Sequence, residues 1–235
     1  MNILITGASS GIGEATARLL HKGGHTVFLS ARSFNKLEAI KAELGDRVHI
    51  IQCDVKDYED AKAMTHAAVQ SMGSIDVLIN NAGLGIFDPL PIAKIEDWHE
   101  MVDVNVKGLL NCTHAALPHL VEKKGHIINI GSVASHHVFA NSGVYCATKH
   151  AVLAISESLR IEFPDKLHIT TISPGSVNTA FIDQTKNDSL LKEYKPNFAN
   201  GMSAELIADA IRYAIETPSN SVISEIIVRP SKALY

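Results

Sequence analysis

Residues 2–13 read NILITGASSGIG, an apolar, β-branched run that breaks into a loop carrying Gly7, Gly11 and Gly13. A continuous apolar run suits a strand covered on both faces, as in a parallel sheet. The following GEATARLLHKG repeats its apolar residues at helical spacing, so the glycines join a strand to a helix. Glycine is wanted where the backbone turns tightly, and where peptide N–H groups must approach a pyrophosphate with no Cβ in between. The helix behind the loop adds the partial positive charge of its N-terminus. The spacing is GxxxGxG rather than GxGxxG, so the position between first strand and first helix carries the reading of a dinucleotide site.

The same alternation continues along the chain. Strands are expected at 2–6 (NILIT), 26–30 (TVFLS), 48–53 (VHIIQC), 76–80 (DVLIN), 126–130 (HIINI), 168–173 (HITTIS) and 222–228 (VISEIIV), with helical patterns such as DAKAMTHAAVQSM between them. This βαβ series predicts an α/β fold: a single-domain, Rossmann-type, doubly wound parallel sheet of about seven strands with helices on both faces. One core can serve all 235 residues, taken as one domain over 1–235. No repeat, low-complexity tract or linker interrupts it. Only 181–202, FIDQTKNDSLLKEYKPNFANGM, is polar and weakly periodic, broken by Pro196 and Gly201. It is expected to be a loop that covers the substrate.

With 21 Lys and Arg against 25 Asp and Glu, the net charge is -4, and no segment concentrates basic residues. Nucleic acid is therefore not expected as a partner. The apolar start breaks at the glycine loop, well short of the ~20 residues that span a bilayer, and it has no basic leader; no membrane association is expected. Cys53, Cys112 and Cys146 lack C-x-x-C spacing and read as reduced thiols of a cytoplasmic protein. Twelve histidines include no HExxH, so no metal is expected; His136 and His137 are placed at the border of a substrate pocket. Trp98 reads as helix packing.

In nucleotide-binding sheets the second strand commonly ends in an acid that takes the ribose 2'-hydroxyl. Here it ends LSARS, with Arg32 where that acid would stand. A carboxylate repels a 2'-phosphate, whereas a guanidinium grips it with paired, charge-assisted bonds, so NADP(H) is expected rather than NAD.

Open parallel sheets bind ligands along the carboxyl edge of their strands. Along that edge fall Asp54-Val55 after the third strand, NNAG (80–83) after the fourth, Gly131-Ser132 after the fifth and Pro174-Gly175 after the sixth. Tyr145 and Lys149 follow Ser132 by a short loop, on a helix expected to begin near Gly143. Four residues apart, they project from one helix face about 6 Å apart along its axis. Tyr58 and Lys62 share that spacing but follow the third strand with no strand-end serine before them, so that pair reads as a solvated helix face.

Taken in order, TGASSGIG, DV, NNAG, Asn105 in VNVKG, Ser132 in NIGSVAS, YCATK and PGSVNT resemble the short-chain dehydrogenase/reductase family over nearly the whole chain. EDW, KGLL with ALPHL, and GHIINIGS look similar to its serine and 3-hydroxy acid dehydrogenases and to acyl-chain ketoreductases. The resemblance implies a catalytic set of Asn105, Ser132, Tyr145 and Lys149. It also implies cofactor contacts at Gly7, Ser9, Ser10, Gly11, Ile12 and Gly13, at Arg32, at Asp54 and Val55, and at Asn81, Ala82 and Gly83. Tyr145, Lys149, Pro174, Gly175, Val177 and Thr179 complete that set, and Asn80 with Gly83 would shape the pocket.

A free phenol, with pKa about 10, is a poor base at neutral pH. A neighbouring ammonium favours the phenolate, so Lys149 is expected to pull the pKa of Tyr145 down. The resemblance further implies that Lys149 holds the nicotinamide ribose, that Ser132 donates to the substrate oxygen, and that Asn105 anchors a water leading from Lys149 to solvent. The implied activity is NADP(H)-dependent hydride transfer to or from the carbonyl or secondary alcohol of a small hydroxy or oxo compound. An acyl-chain 3-ketoreductase, drawing on Lys186, Lys192 and Lys195 to meet an acidic carrier, and a non-catalytic NADP-binding regulator are the alternatives. A homotetramer built through helices around 100–122 and 144–163 is also implied.

Overall fold

The first strand lies at the centre of the sheet. In a computed structural model, which describes residues 1–218 and 220–231, seven strands form one sheet: β1 (Asn2–Thr6), β2 (Thr26–Ala31), β3 (Val48–Gln52), β4 (Val77–Asn80), β5 (His126–Ile130), β6 (His168–Pro174) and β7 (Glu225–Val228). Their order is β3-β2-β1-β4-β5-β6-β7 and every neighbouring pair is parallel, with Leu4 opposite Phe28 on one side and Leu78 on the other. The chain winds outward from β1 to β3, then returns to β4 and winds the other way. Between β1 and β4 the sheet therefore has its switch point, where a crevice opens at the carboxyl edge.

Alternation at period two divides each strand between two cores. Ile3, Ile5, Val27, Leu29, Val77 and Ile79 face α1 (Gly11–Lys22), α2 (Phe34–Leu44) and α8 (Ala204–Ile215). Leu4, Phe28, Leu78, Ile127 and Ile169 face the opposite layer, with α3 (Tyr58–Met72), α4 (Ile95–Val102), α5 (Gly108–Lys123) and α6 (Gly143–Glu162). Both sets are buried, which is why the strands read as unbroken apolar runs.

Two elements differ from expectation. The last strand is shorter: at 222–224 it gives only single bonds to β6, Ile223 O accepting from Thr170 Oγ1 and Ser224 O from Thr171 N. The stretch 181–202 is not a loop, since it contains α7 (Asp188–Ala199). Asn187 caps that helix by accepting from Leu190 N at 3.2 Å, and Leu190, Leu191, Tyr194 and Phe198 recur at helical spacing on its packed face. Pro196 removes one helical bond near the C-terminal end, where the helix tolerates it.

Between α4 and α5 the chain continues through a π-turn, Asp103–Lys107, which holds Asn105. Such turns often mark functional sites. All three cysteines are buried and free. Trp98 packs against the core, as expected. Among the described residues no helix is long and apolar enough to cross a membrane, and no group of three or more His, Cys, Asp or Glu side chains is placed to hold a metal. Ser219 and residues 232–235 lie outside the described residues.

Candidate active site

A cavity of about 1050 Å³ follows the carboxyl edge, from Ala31 and Arg32 past the glycine loop to Ser132 and Tyr145, and ends beneath α7. It brings together Gly7, Ser9, Ser10, Gly11 and Ile12 from the glycine loop with Asn81, Ala82 and Gly83 from the end of β4. Arg32, Asp54 and Val55 line its far end; Pro174, Gly175, Val177 and Thr179 line the wall beyond β6. Of the expected set, Gly13 and Asn105 do not reach the lining.

The glycine loop is shaped for a bound chain of phosphates. Gly7 and Gly11 have φ of +64° and +57°, the left-handed region that side chains rarely adopt. A Cβ on Gly7 would stand 2.8 Å from Ala82 Cα, and one on Gly11 would stand 3.2 Å from Thr179 Cγ2. Gly13 has a packing role instead, since its Cβ would meet Asn81 Nδ2 at 2.4 Å and Gly7 O at 2.5 Å. Asn81 Nδ2 donates to Thr6 O at 2.9 Å and Gly7 O at 3.1 Å, fixing the loop from the neighbouring strand. Thr6 Oγ1 accepts from Asn81 N and Ala82 N, each at 3.1 Å; sequence reasoning missed this buried threonine. No side chain caps the N-terminus of α1, whose first N–H groups open toward the cavity lining. These residues fit a dinucleotide.

At the far end Arg32 is joined on the lining by Ser33 and Lys36, which the sequence reading did not single out. Arg32 Nη1 lies 3.8 Å from Glu100 Oε1, and Glu100 is held more closely by Lys56 Nζ at 3.0 Å. Asp54 Oδ1 accepts from Lys56 N at 3.1 Å, closing the turn after β3.

Near the switch point Ser132 opens a short 3₁₀ turn, Val133–Ser135. Its Oγ accepts from Ala134 N at 3.1 Å, and its N–H donates to Ser135 Oγ at 3.1 Å. The Ser132 hydroxyl also donates to Pro174 O at 3.3 Å. Tyr145 and Lys149 face the cavity from the first turns of α6, as the spacing predicts. Asn105 Nδ2 donates to Leu84 O at 2.8 Å and Thr148 Oγ1 at 3.0 Å, while its Oδ1 accepts from Leu84 N at 2.8 Å. That side chain ties the π-turn to the NNAG loop and to α6.

The electrostatics depart from expectation. Burial pushes the Tyr145 phenol up to about 12, with its neighbour Ser132 drawing it partly back. Burial also pushes Lys149 down to about 8. The ammonium donates to Ile130 O at 2.8 Å and sits 5.9 Å from the centroid of the phenol ring. It is no source of a lowered phenol pKa in this state, because withdrawal from water outweighs a cation aimed elsewhere.

Three further expectations meet the structure. Asn80 is interior, donating to Thr113 Oγ1 at 3.0 Å and Asn129 Oδ1 at 2.9 Å, and does not shape the cavity. His136 and His137 do not border the cavity; His136 Nε2 instead meets Glu225 Oε1 of β7 at 2.7 Å. Tyr58 and Lys62 lie outside it as expected, the ammonium pairing with Glu59 at 2.7 Å. Sequence reading missed the aromatic wall at the lid end, Phe87, Phe181, Tyr194 and Phe198. The signal was present in α7, where Tyr194 and Phe198 are one turn apart.

The short chain dehydrogenase family model matches residues 1–190. An uncharacterized oxidoreductase of Staphylococcus saprophyticus is 43% identical over 234 residues, covering 97% of this chain and 95% of that protein. Among solved structures, the closed form of a serine dehydrogenase complexed with NADP+ is 34% identical, with a TM-score of 0.92 over 100% of this chain and 97% of that one. An alcohol dehydrogenase from the archaeon Thermococcus sibiricus, complexed with 5-hydroxy-NADP, is 31% identical, with a TM-score of 0.89 over 99% and 97%. A family match over most of the chain and a relative this similar end to end agree with the cavity just described: the chain belongs to the short chain dehydrogenase family and is an oxidoreductase of that family.

Proposed function

We propose that the protein is an NADP(H)-dependent oxidoreductase acting on the carbonyl or secondary alcohol of a small hydroxy or oxo compound. The observation that carries this reading is the convergence of Ser132, Tyr145 and Lys149 on the cavity that the glycine loop opens. Arg32 and Lys36, with no carboxylate on the end of β2, support NADP(H) over NAD. The NADP-bound serine dehydrogenase and the alcohol dehydrogenase agree with it.

The glycine loop, the α1 N-terminus, Arg32 and Asp54–Val55 would hold the dinucleotide, with Pro174, Gly175, Val177 and Thr179 along its nicotinamide half. When bound, the cofactor supplies or accepts the hydride. As negative charge gathers on the carbonyl oxygen, Ser132 turns its hydroxyl from Pro174 O and donates to it. Tyr145, kept protonated by burial, gives that oxygen its proton. Lys149 then faces a phenolate across the ring and stabilises it until the proton is restored. The lid, 181–202, excludes water over this chemistry.

An acyl-chain reductase loses support from the lid. Lys186 pairs with Asp97, and Lys195 pairs with Asp183 at 3.2 Å. A non-catalytic regulator is disfavoured by the intact Ser132, Tyr145 and Lys149. Apolar Val102, Leu110 and Ile161 stand exposed on the faces of α4, α5 and α6, which supports the homotetramer, and three buried thiols suit a cytoplasmic setting. NADPH consumption at 340 nm with a panel of ketones and dicarbonyls tests the activity. Sedimentation velocity tests the assembly.

A further inference from the structure

The cavity has two chemically different ends. Among the described residues its charged lining consists of Arg32, Lys36 and Asp54 at the β2–β3 end, and Lys149 beside Tyr145. Beyond Tyr145 the described residues of the lining are uncharged. Lys149 already donates to Ile130 O at 2.8 Å, on the sheet side of the phenol. The lid's lysines do not reach the interior, and Lys186 and Lys195 are paired with Asp97 and Asp183.

Rings fill that end instead. Phe87 meets Tyr145 edge-on, with centroids 5.5 Å apart and planes at 86°, and meets Tyr194 at 6.0 Å and 70°. Phe181 lies 5.7 Å from Tyr145 and stacks on Phe198 at 6.3 Å and 26°. Gly85 makes room for this wall, since a Cβ there would stand 2.7 Å from Phe181 Cζ. Gln184 and Asn197 supply neutral polar groups at the rim.

We propose that the substrate is a neutral carbonyl compound carrying an aryl or similarly flat apolar group, and that hydroxy acids and other carboxylates are excluded. The proposal rests on the hydride-transfer reading above and narrows it. A carboxylate entering beneath α7 would lose its water with no cation among the described residues of the lining to replace it, whereas an aryl group gains edge and face contacts from four rings.

The test compares compounds matched in shape. With NADPH, kcat/KM for methyl benzoylformate should exceed that for benzoylformate on the order of a hundredfold, and that for methyl pyruvate at least about tenfold. Phe181→Leu should raise KM for methyl benzoylformate by a larger factor than KM for methyl pyruvate. Calorimetry of the NADP-loaded protein should show binding of benzamide and none of benzoate. Equal or preferred use of the carboxylates, or equal binding of benzoate, overturns the proposal and leaves hydride transfer standing. Benzamide-selective binding without NADPH oxidation by any carbonyl supports the slot's chemistry and overturns the hydride reading. Neither binding nor oxidation overturns both.

Discussion

Lys149 Nζ lies 5.9 Å from the centroid of the Tyr145 ring and gives its hydrogen bond to Ile130 O, not to the phenol oxygen. Both groups are withdrawn from water, so each is driven toward its neutral form: the phenol up to about 12, the ammonium down to about 8. In this state the phenol keeps its proton, so it can act as a donor and not as a base.

Difference absorbance at 295 nm between the wild type and Tyr145→Phe, without cofactor, should show no phenolate from Tyr145 below about pH 11. A midpoint near neutrality would mean that a neighbouring charge outweighs burial at the phenol.

Tyr145→Phe should lower turnover by about a thousandfold, the scale of a lost general acid, while NADPH affinity by equilibrium dialysis stays the same. A variant that retains activity removes Tyr145 from the chemistry.

Arg32→Asp should move the preference from NADPH toward NADH, read as the ratio of kcat/KM for the two cofactors. A carboxylate repels the 2'-phosphate and accepts from a ribose 2'-hydroxyl. An unchanged ratio would refute the assignment of Arg32 to the 2'-phosphate.

Burial, reinforced by His168, pushes His126 down to about 3. Thr170 Oγ1 uses its hydrogen on Ile223 O at 2.6 Å, so His126 must donate from Nε2 to that oxygen at 2.8 Å, fixing the neutral tautomer. Because the folded pKa is the lower one, the unfolded chain binds the extra proton. Stability from this group is complete above about pH 6.5 and is lost as pH falls toward 3, on the order of 5 kcal/mol. Urea unfolding across that window should show a shallower acid loss in His126→Gln.

Asn105→Ala should lower unfolding free energy by about 3 kcal/mol, because Leu84 N and O would be left buried without partners. Urea denaturation measures it directly; a loss within error would mean that the loop re-forms its bonds elsewhere.

The sheet was legible because strands buried on both faces write themselves as unbroken apolar runs, and NILIT and HIINI match β1 and β5 end to end. Tyr145, Lys149 and Ser132 were legible through the order of motifs that carries the family resemblance, with helical spacing only placing the first two on one face. The helix at Asp188–Ala199 was obscured by Pro196 and by polar residues on its open side. Thr6, Phe87 and Phe181 left no local trace, since their roles depend on residues more than seventy positions away or on the seating of the lid. The direction of the Tyr145 shift was missed for the same reason: spacing gives proximity to Lys149, whereas depth below the surface and the rival acceptor on Ile130 are tertiary facts.

The central place of β1 bears on how the molecule assembles. Its partner β4 lies some seventy residues downstream, so Ile3 meets Val77 only after a long loop has closed. The bonds from Asn81 that hold Gly7 form in that same late step. A nascent chain cannot complete its phosphate cradle until well past its first three strands, and the ability to take up dinucleotide should therefore report on the end of folding rather than its beginning.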